Sequence, residues 1–309
     1  GCLGLATVGV GDGGRAGLVV STAKAPLLVA PGPDGQFVLR PLAPAETGRW
    51  AGAELGRAWP CVVADFDGDG LPDVLQPFSR GALLYRAKGV GVFEAPVPCG
   101  DVAAGKEHAR AFAADLDHDG LLDVFIAAEE GCRIWHNAGG GRFQESMEFA
   151  GEMAYISQPS ARGGMVCDVN NDGRQDIFIT YSNIRPQLFF NRGFQSFGHS
   201  HMLDLKEQRL LPEAEEKGQQ AGLIADLDGD GAQDMALVID KGEVWVFWRS
   251  RAQSDPLCVR AAVPADAVRP AHAWVEDHGT WSYTTVIAHG SRQIDAYPAD
   301  PESRELRWV

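Results

Sequence analysis

Four aspartates lie within nine residues in the stretch "DFDGDGLPD" (65–73), at its first, third, fifth and ninth positions. They are Asp65, Asp67, Asp69 and Asp73. Two carboxylates about 4 Å apart repel each other by about 1 kcal/mol in water, and by about 4 kcal/mol at an effective dielectric constant of about 20. Because a divalent cation reverses the sign of this interaction, the spacing predicts a metal site.

Calcium is the ion that suits these side chains best. It takes six to eight oxygen ligands at roughly 2.3–2.6 Å and accepts irregular geometry, whereas magnesium prefers a rigid octahedron that keeps several waters. Gly70, at position 6, permits a sharp turn. The backbone carbonyl of Leu71, at position 7, can join the ligands. The alternative is a set of solvated Asx turns that hold no metal.

The same acidic pattern occurs three more times along the chain. It reads "DLDHDGLLD" at 115–123, "DVNNDGRQD" at 168–176 and "DLDGDGAQD" at 226–234. The first aspartates of successive copies are 50, 53 and 58 residues apart, and periods of about 50 residues are typical of propellers and solenoids. EF-hands differ from this pattern, because they carry a bidentate glutamate at position 12 and continue as a helix. That position holds Gln76, Ile126, Ile179 and Leu237.

Each acidic loop is predicted to join two β-strands. A short apolar segment such as "AFAA" (111–114) precedes the loop, and "DVFIAA" (123–128) begins with its last aspartate. A third strand, "CRIWHN" (132–137), and a glycine-rich turn follow. Four short antiparallel strands in about 50 residues describe a propeller blade. Corresponding strands are predicted at 82–87, 176–181, 187–192, 222–225, 234–239 and 243–249.

The beginning of the chain reads as a copy of the repeat that has lost its acidic residues. Residues 9–22 align with 65–78, and glycines stand at 9, 11, 13 and 17 in place of the aspartates. The glycines at 9, 11 and 14 also match G-x-G-x-x-G, but a dinucleotide site needs a following helix within a βαβ unit. The strand-forming "LVVST" follows instead. Neither a nucleotide nor a calcium ion is therefore expected here.

The sequence as a whole predicts an all-β chain that forms a single β-propeller domain of about six four-stranded blades with calcium-binding D-x-D-x-D-G loops. The last blade lacks an acidic loop and reads as a hairpin around Asp277–Gly279. A helix-favouring stretch at 205–220 accounts for the longest repeat as an insertion. The predicted blades span approximately residues 1–50, 51–100, 101–155, 156–215, 216–262 and 263–309.

The pattern D-x-[DN]-x-D-G-x-x-D followed by an apolar strand resembles the FG-GAP/VCBS repeats, the β-propeller repeats of integrin α heads and many bacterial secreted proteins. The resemblance covers 55–262, with 5–50 as a decayed copy, and the ending "RELRWV" (304–309) is similar to the β tail of the ASPIC/UnbV type. It implies that the loop joins the innermost strand of a blade to the next strand and binds structural calcium, about four ions in all. The implied ligands are Asp65, Asp67, Asp69, Leu71 and Asp73; Asp115, Asp117, Asp119, Leu121 and Asp123; Asp168, Asn170, Asp172, Arg174 and Asp176; and Asp226, Asp228, Asp230, Ala232 and Asp234.

Charge and composition limit the possible partners and the location. The net charge of −15 argues against nucleic acid as a partner, and no apolar run is long enough for membrane insertion. Six cysteines stand far apart without a CxxC pair, so the sequence leaves disulfides open. Extracellular calcium modules have Kd values of about 10⁻⁴–10⁻³ M, which predicts an extracellular, periplasmic or cell-surface location.

A ligand is expected at the end of the propeller channel opposite the calcium loops, since the calcium oxygens are consumed by the ion. The residues before each innermost strand are arginine, histidine, glutamine and tryptophan, which suit an anionic or sugar-like ligand; the alternative is that they are ordinary polar loop residues. These residues are Arg57, Trp59, His108, Arg110, Ser160, Arg162, Gln219 and Gln220.

Two classes of function remain open from the sequence. The first is a secreted, calcium-stabilised module that binds a protein or a glycan. The second is a carbohydrate-active enzyme of the lyase or dehydratase type, with histidines and arginines of the funnel, or His199 and His201, as acid and base. No nucleophile elbow or zinc-helix motif is present, which favours the binding module.

Overall fold

Every regular element in the described part of the computed structural model is a β-strand. Contacts divide the chain into two compact units, Gly1–Gln158 and Pro159–Val309. Among the described residues no helix is long and apolar enough to cross a membrane. The structure describes residues 2–10, 16–32, 34–43, 54–106, 109–148, 160–168, 172–183, 186–193, 197–199, 219–225, 234–239, 243–250, 253–262, 270–277, 283–289, 292–296 and 306–308.

The first sheet is built from the region whose acidic residues are replaced by glycines. Its four antiparallel strands follow chain order, and Gly17 pairs with Val8 across the first two strands. The fourth strand is exposed along its whole length, with Phe37 70% exposed. The strands are β1 (Cys2–Gly9), β2 (Ala16–Thr22), β3 (Leu27–Pro31) and β4 (Phe37–Pro41).

The second sheet contains the first acidic loop and an extra hairpin that the sequence did not predict. The hairpin β8–β9 is inserted after the third strand, so β7 pairs with β10 as the outer strand of the sheet. The strands are β5 (Val62–Ala64), β6 (Asp73–Phe78), β7 (Gly81–Tyr85), β8 (Ala87–Gly89), β9 (Val92–Phe93) and β10 (Val97–Pro98).

The third sheet completes the first unit and contains the second acidic loop. Its strands are antiparallel and in chain order. The predicted strand 123–128 coincides with β12, and the predicted strand 132–137 begins one residue before β13. The strands are β11 (Ala109–Ala114), β12 (Asp123–Ala128), β13 (Arg133–Asn137) and β14 (Phe143–Glu148).

The second unit holds three further four-stranded antiparallel sheets, each in chain order. The fourth sheet has β15 (Ala161–Cys167), β16 (Asp176–Tyr181), β17 (Gln187–Asn191) and β18 (Phe197–His199). The fifth has β19 (Gln219–Ala225), β20 (Asp234–Ile239), β21 (Glu243–Ser250) and β22 (Gln253–Ala262). The sixth has β23 (Pro270–Asp277), β24 (Tyr283–His289), β25 (Arg292–Ala296) and β26 (Leu306–Trp308).

The sixth sheet contains the hairpin predicted around Asp277–Gly279, because β23 and β24 pair through Asp277 and Tyr283. The segment Leu306–Trp308 pairs with β25. Its similarity to an ASPIC/UnbV tail stays a prediction.

The strand that follows each acidic loop forms the centre of its sheet. All six residues of β6, β12 and β16 are buried. A strand covered on both faces reads as a continuous apolar run instead of an alternating one, and "DVFIAA" and "DIFITY" are such runs. The sheets of the first unit therefore pack face to face through these strands, with Val74, Phe78 and Leu83 in one core and Val124, Ile126 and Trp135 in the next.

The first strands of neighbouring sheets lie beside one another. In the first unit β5 contacts both β1 and β11, and in the second unit β19 contacts both β15 and β23. Each acidic loop follows the end of such a first strand in the chain.

The prediction of a helix-favouring insertion at 205–220 is wrong for its last two residues, which lie in a strand. Gln219 and Gln220 belong to β19. Gln219 pairs with Ile239 of β20, and the register shifts between Gln219 and Ala221. Residues 205–218 lie outside the described part of the chain.

The five described cysteine side chains form no disulfide. Cys2 is exposed, and Cys61, Cys99, Cys132 and Cys167 are buried. Burial raises the pKa of each of these four thiols to about 12. They act as small apolar core residues in the neutral form.

Candidate metal centre

The first acidic loop (65–73) is folded around the carboxylate of Asp65. The backbone N–H groups of Gly68 (2.8 Å) and Asp69 (3.2 Å) donate to its Oδ1, and that of Gly70 (2.9 Å) donates to its Oδ2. Asp69 Oδ1 accepts the N–H of Leu71 (2.8 Å). Gly68 and Gly70 have φ values of 80° and 85°, which glycine adopts without strain. The turn thus draws the carboxylates together.

Asp73 fastens this loop to its sheet. Its Oδ2 accepts the N–H of Phe66 (3.1 Å), and its Oδ1 accepts the N–H of Ala87 (2.8 Å) just beyond β7. The residue is completely buried. Burial, together with repulsion from Asp67 and Asp69, raises the pKa of Asp73 to about 6 against the opposing effect of these hydrogen bonds.

The second acidic loop (115–123) repeats this framework. His118 (2.7 Å) and Gly120 (3.1 Å) donate their N–H groups to the two oxygens of Asp115. Asp123 accepts from Leu116 (3.2 Å) and from Asn137 (2.8 Å). Burial, and repulsion from Asp117, raise the pKa of Asp123 to about 6. The two loops therefore share these hydrogen bonds, although position 4 is glycine in the first and histidine in the second.

The third and fourth acidic loops are described in part. In the third (168–176), Asp172 (3.0 Å) and Gly173 (2.8 Å) donate their N–H groups to Asp168, and Asn191 donates to Asp176 (2.8 Å). Its predicted ligand Asn170 lies outside the described residues. The fourth loop is described only at Asp234, which is completely buried at the start of β20. The predicted ligands Asp226, Asp228, Asp230 and Ala232 lie outside the described residues.

A nitrogen-bearing side chain lies beside the carboxylates of each of the first three loops, which the sequence analysis missed. Arg86 Nε lies 3.7 Å from Asp67 Oδ2 in the first loop. Arg174, predicted to offer only its carbonyl, forms an ion pair with Asp172 in the third loop (2.5 Å) and donates to the Asn191 carbonyl. The two arginines offset part of the repulsion between the carboxylates. In the second loop the side chain is a histidine, described below.

The donor set fits calcium. Oxygens of Asp65, Asp67 and Asp73 lie within 4.8 Å of one another, as do those of Asp115, Asp117 and Asp119. Asp67 Oδ1 is buried and has no hydrogen-bond partner among the described residues. Leaving a buried polar atom unsatisfied costs about 1–3 kcal/mol, and more when it is charged. A hard cation bound by oxygens would remove that cost.

Asn137 links the second loop to the first. Its side-chain amide donates to the carbonyl of Leu122 (3.1 Å) and to that of Phe66 in the first loop (2.9 Å), and its Oδ1 accepts the N–H of Gly139 (3.1 Å). Asn191 makes the corresponding bonds to Gln175 (3.2 Å) and Gly193 (2.9 Å) in the fourth sheet. The asparagine that follows "IWH" and "LFF" was the sequence signal for these links.

The predicted ligand residues Arg57 and Trp59 lie at the end of the second sheet opposite its acidic loop, because Ala58 bridges to Phe78 at the end of β6. The Arg57 guanidinium stands 4.6 Å from the centre of the Trp59 ring. Trp59 is only 4% exposed, and its indole N–H donates to the Gly105 carbonyl (3.1 Å). The interpretation of Trp59 as a ligand contact is therefore corrected, since packing covers its ring.

Arg110 lies near the start of β11, at the opposite end from the second acidic loop. It is half-buried, and its side chain makes no hydrogen bond or ion pair within the part of the chain that the structure describes. Burial lowers the pKa of its guanidinium. The sequence analysis named Arg110 as a candidate ligand residue without foreseeing that its side chain would have no partner among the described residues.

The remaining predicted ligand residues hold equivalent register positions or fall outside the described part. Arg162 follows Ala161, which pairs with Tyr181 at the end of β16 as Ala109 pairs with Ala128 at the end of β12. The Ser160 N–H donates to Asn183 (3.0 Å). His108, His201 and the side chains of Gln219, Gln220 and His199 lie outside the described residues. Their roles in ligand binding or catalysis stay predictions.

A family model described as FG-GAP-like repeat matches residues 115–179, which include the whole of the second and third acidic loops. No curated protein sequence matches the chain.

Solved structures share the fold of this chain at low sequence identity. An Agrocybe aegerita lectin that recognises non-reducing terminal N-acetylglucosamine has a TM-score of 0.58 at 21% identity, over 85% of this chain and 66% of the lectin. BBS1N in complex with ARL6DN has a TM-score of 0.57 at 12% identity, over 95% and 78% of the chains. PorZ, a surface component of the type-IX secretion system of Porphyromonas gingivalis, has a TM-score of 0.53 at 10% identity, over 99% and 34%. The likeness is to β-propeller-like chains and concerns the fold alone.

Proposed function

We propose that the chain is a secreted β-propeller of about six four-stranded blades, stabilised by calcium, that binds a protein or a glycan bearing an anionic group. The FG-GAP-like repeat and the fold of a lectin support a binding module. Arg110 is the observation that carries the choice of ligand.

The acidic loops would hold calcium through the carboxylates at positions 1, 3, 5 and 9 and the carbonyl at position 7. In the first loop these are Asp65, Asp67, Asp69, Asp73 and the Leu71 carbonyl. The ion would supply positive charge where carboxylates converge and where Asp67 Oδ1 lacks a partner. The role is structural, because the position 9 aspartate also accepts the N–H groups that tie loop to sheet.

Calcium binding is tested by melting the protein in excess EGTA and in about 2 mM calcium, the range that fills extracellular sites. A ligand that binds the folded state alone stabilises it by RT ln(1 + [Ca]/Kd), about 2.7 kcal/mol per site at 100 times Kd. We expect a large rise in melting temperature with calcium. Asp67→Ala should remove one site by calorimetric titration, and Asp101→Ala, which removes an exposed carboxylate outside the loops, should remove none. Superimposable melting curves would refute calcium stabilisation.

The ligand is proposed to carry a carboxylate or another anionic group that pairs with Arg110. A half-buried guanidinium without a counter-ion among the described residues has lost hydration that none of those residues replaces. Arginine is suited to bidentate recognition of carboxylates. Its position away from the acidic loop leaves it open to an anionic ligand without repulsion from those aspartates.

A glycan array that includes acidic sugars, together with acidic peptides, tests this proposal. Binding should be lost or reduced at least about tenfold in Arg110→Gln, which corresponds to a charged hydrogen bond worth about 1.5–3 kcal/mol. Arg142→Gln, at an exposed arginine in the β13–β14 turn, is the matched control and should bind normally. Ligands that bind both variants equally well would place the site elsewhere.

A further inference from the structure

The second acidic loop has an imidazole nitrogen beside its carboxylates, where the first and third loops have an arginine. His136 Nδ1 lies 3.2 Å from Asp117 Oδ2 and 3.2 Å from Asp123 Oδ1. The three ligand atoms lie within 4.8 Å of one another. His136 reaches the loop from β13, whereas both aspartates belong to the loop itself. The cluster is therefore assembled by two separate elements.

We propose that Asp117, Asp123 and His136 form a site for a transition-metal ion of the zinc type, distinct in selectivity from the calcium-type loops. The inference rests on the proposed metal-binding role of the acidic loops, and it names a different class of ion for one of them. Two carboxylates and one imidazole are the protein ligands, and a water or other small ligand completes a four-coordinate ion.

The distances agree with a tetrahedral ion. Zinc binds imidazole nitrogen at about 2.0–2.1 Å and carboxylate oxygen at about 2.0–2.2 Å, so neighbouring ligand atoms in a tetrahedron stand about 3.3–3.5 Å apart. The two N···O separations of 3.2 Å need only a small adjustment to reach this value. Calcium, in contrast, takes oxygen ligands, and an imidazole in its coordination sphere is unfavourable.

The cluster is largely shielded from solvent, because the side chain of Asp123 is 2% exposed and that of Asp117 is 15% exposed. Imidazole Nδ1 carries at most one hydrogen, and the two carboxylate oxygens approach it equally closely. A divalent ion would bind all three atoms at once.

The histidine is specific to this repeat. Strand register aligns His136 with Arg86 in the second sheet and with Phe190 in the fourth. Each of these residues directly follows the one that pairs with the second residue of the central strand, namely Trp135, Tyr85 and Phe189. Arginine is no metal ligand at ordinary pH, and phenylalanine has no donor atom. The first loop nevertheless offers the same two carboxylates, from Asp67 and Asp73.

The test is titration of the metal-free full chain with Zn²⁺ by calorimetry and with Co²⁺ by its visible absorption. We expect one site in the wild-type protein with nitrogen in its coordination sphere. His136→Ala should weaken it at least about tenfold, since removing even an outer-shell partner of a metal ligand costs about 10–100-fold. Arg86→His should add a second site in the first loop. Zinc and calcium should compete at the second loop, because both would use Asp117 and Asp123.

X-ray absorption of the zinc-loaded wild-type chain provides a check that needs no variant. It should detect imidazole nitrogen near 2.0–2.1 Å and no sulfur at about 2.3 Å. Zinc affinity unchanged in His136→Ala, or zinc bound through sulfur, would overturn the inference. Calcium-dependent melting is measured on the same samples. If calcium still raises the melting temperature while zinc fails to bind, the calcium proposal survives and the zinc inference is refuted. If calcium has no effect on melting and zinc does not bind, both proposals are refuted.

Discussion

Replacing Asn137 tests how much the link between successive acidic loops contributes to stability. The Asn137→Ala variant loses the bonds of the side chain to Phe66, Leu122 and Gly139 but keeps the backbone bond to Asp123. A hydrogen bond contributes about 0.5–1.5 kcal/mol net, so three of them give about 2–4 kcal/mol. The residue is completely buried, which puts the expected cost toward the upper end because two carbonyls and an N–H group lose their partners.

Asn137→Asp sharpens this prediction, because aspartate keeps the acceptor for Gly139 but offers no donor. Two carbonyl oxygens would then face a buried carboxylate, and we expect this variant to be less stable than Asn137→Ala. The assay is urea-induced unfolding of the full chain in EGTA, which excludes metal binding. With urea m-values of about 1–3 kcal/mol/M, the unfolding midpoint should fall by about 1 M or more. The exposed Gln144→Ala is the control. If Asn137→Asp is as stable as Asn137→Ala, the two donated bonds contribute nothing.

Three further predictions concern charge, backbone and thiols. Arg86→Gln should raise the calcium affinity of the first loop about fivefold, as measured by calorimetry. The Arg86 guanidinium lies 3.7 Å from Asp67 and disfavours calcium binding by about 1 kcal/mol in a solvated setting. Unchanged affinity would contradict this reasoning. Gly100→Ala should destabilise by more than about 3 kcal/mol in urea unfolding, because its Cβ would collide with the Phe143 carbonyl at a φ of 140°. Gly35→Ala, with a φ of 80° in open space, should cost only about 1–2 kcal/mol. In a Cys258→Ser chain at pH 8, a thiol reagent should label Cys2 quickly and the four buried thiols only on unfolding. Burial raises the pKa of these four thiols to about 12, which keeps them in the unreactive neutral form. Rapid labelling of two or more thiols would contradict their burial.

The sequence predicted the central strands closely because two local requirements coincide there. A position 9 aspartate must be buried to accept backbone N–H groups, and the residues after it must be apolar on both faces. The segments beginning at Asp123, Asp176 and Asp234 satisfy both, and their predicted bounds coincide with strands β12, β16 and β20. Turn chemistry, periodicity and packing all point the same way in these segments.

The features that the sequence did not predict depend on contacts between distant residues. The burial of Trp59 is set by the carbonyl of Gly105 and by the third sheet, which no local pattern reveals. His136 was placed only as part of a strand, because its approach to Asp117 requires the register between β12 and β13. The hairpin β8–β9 replaced a simple outer strand, since "AKGVGVF" forms a tight turn before the chain returns to β10.

The first sheet folds as four paired strands although glycines stand where other repeats carry aspartates. Its Val19 and Leu28 are completely buried in the core shared with the second sheet. Packing against a neighbour can therefore stand in for an acidic loop, and a duplicated repeat is free to lose its acidic residues without losing its place in the chain. For protein engineering, residues 9–17 are a natural template for removing acidic loops one at a time.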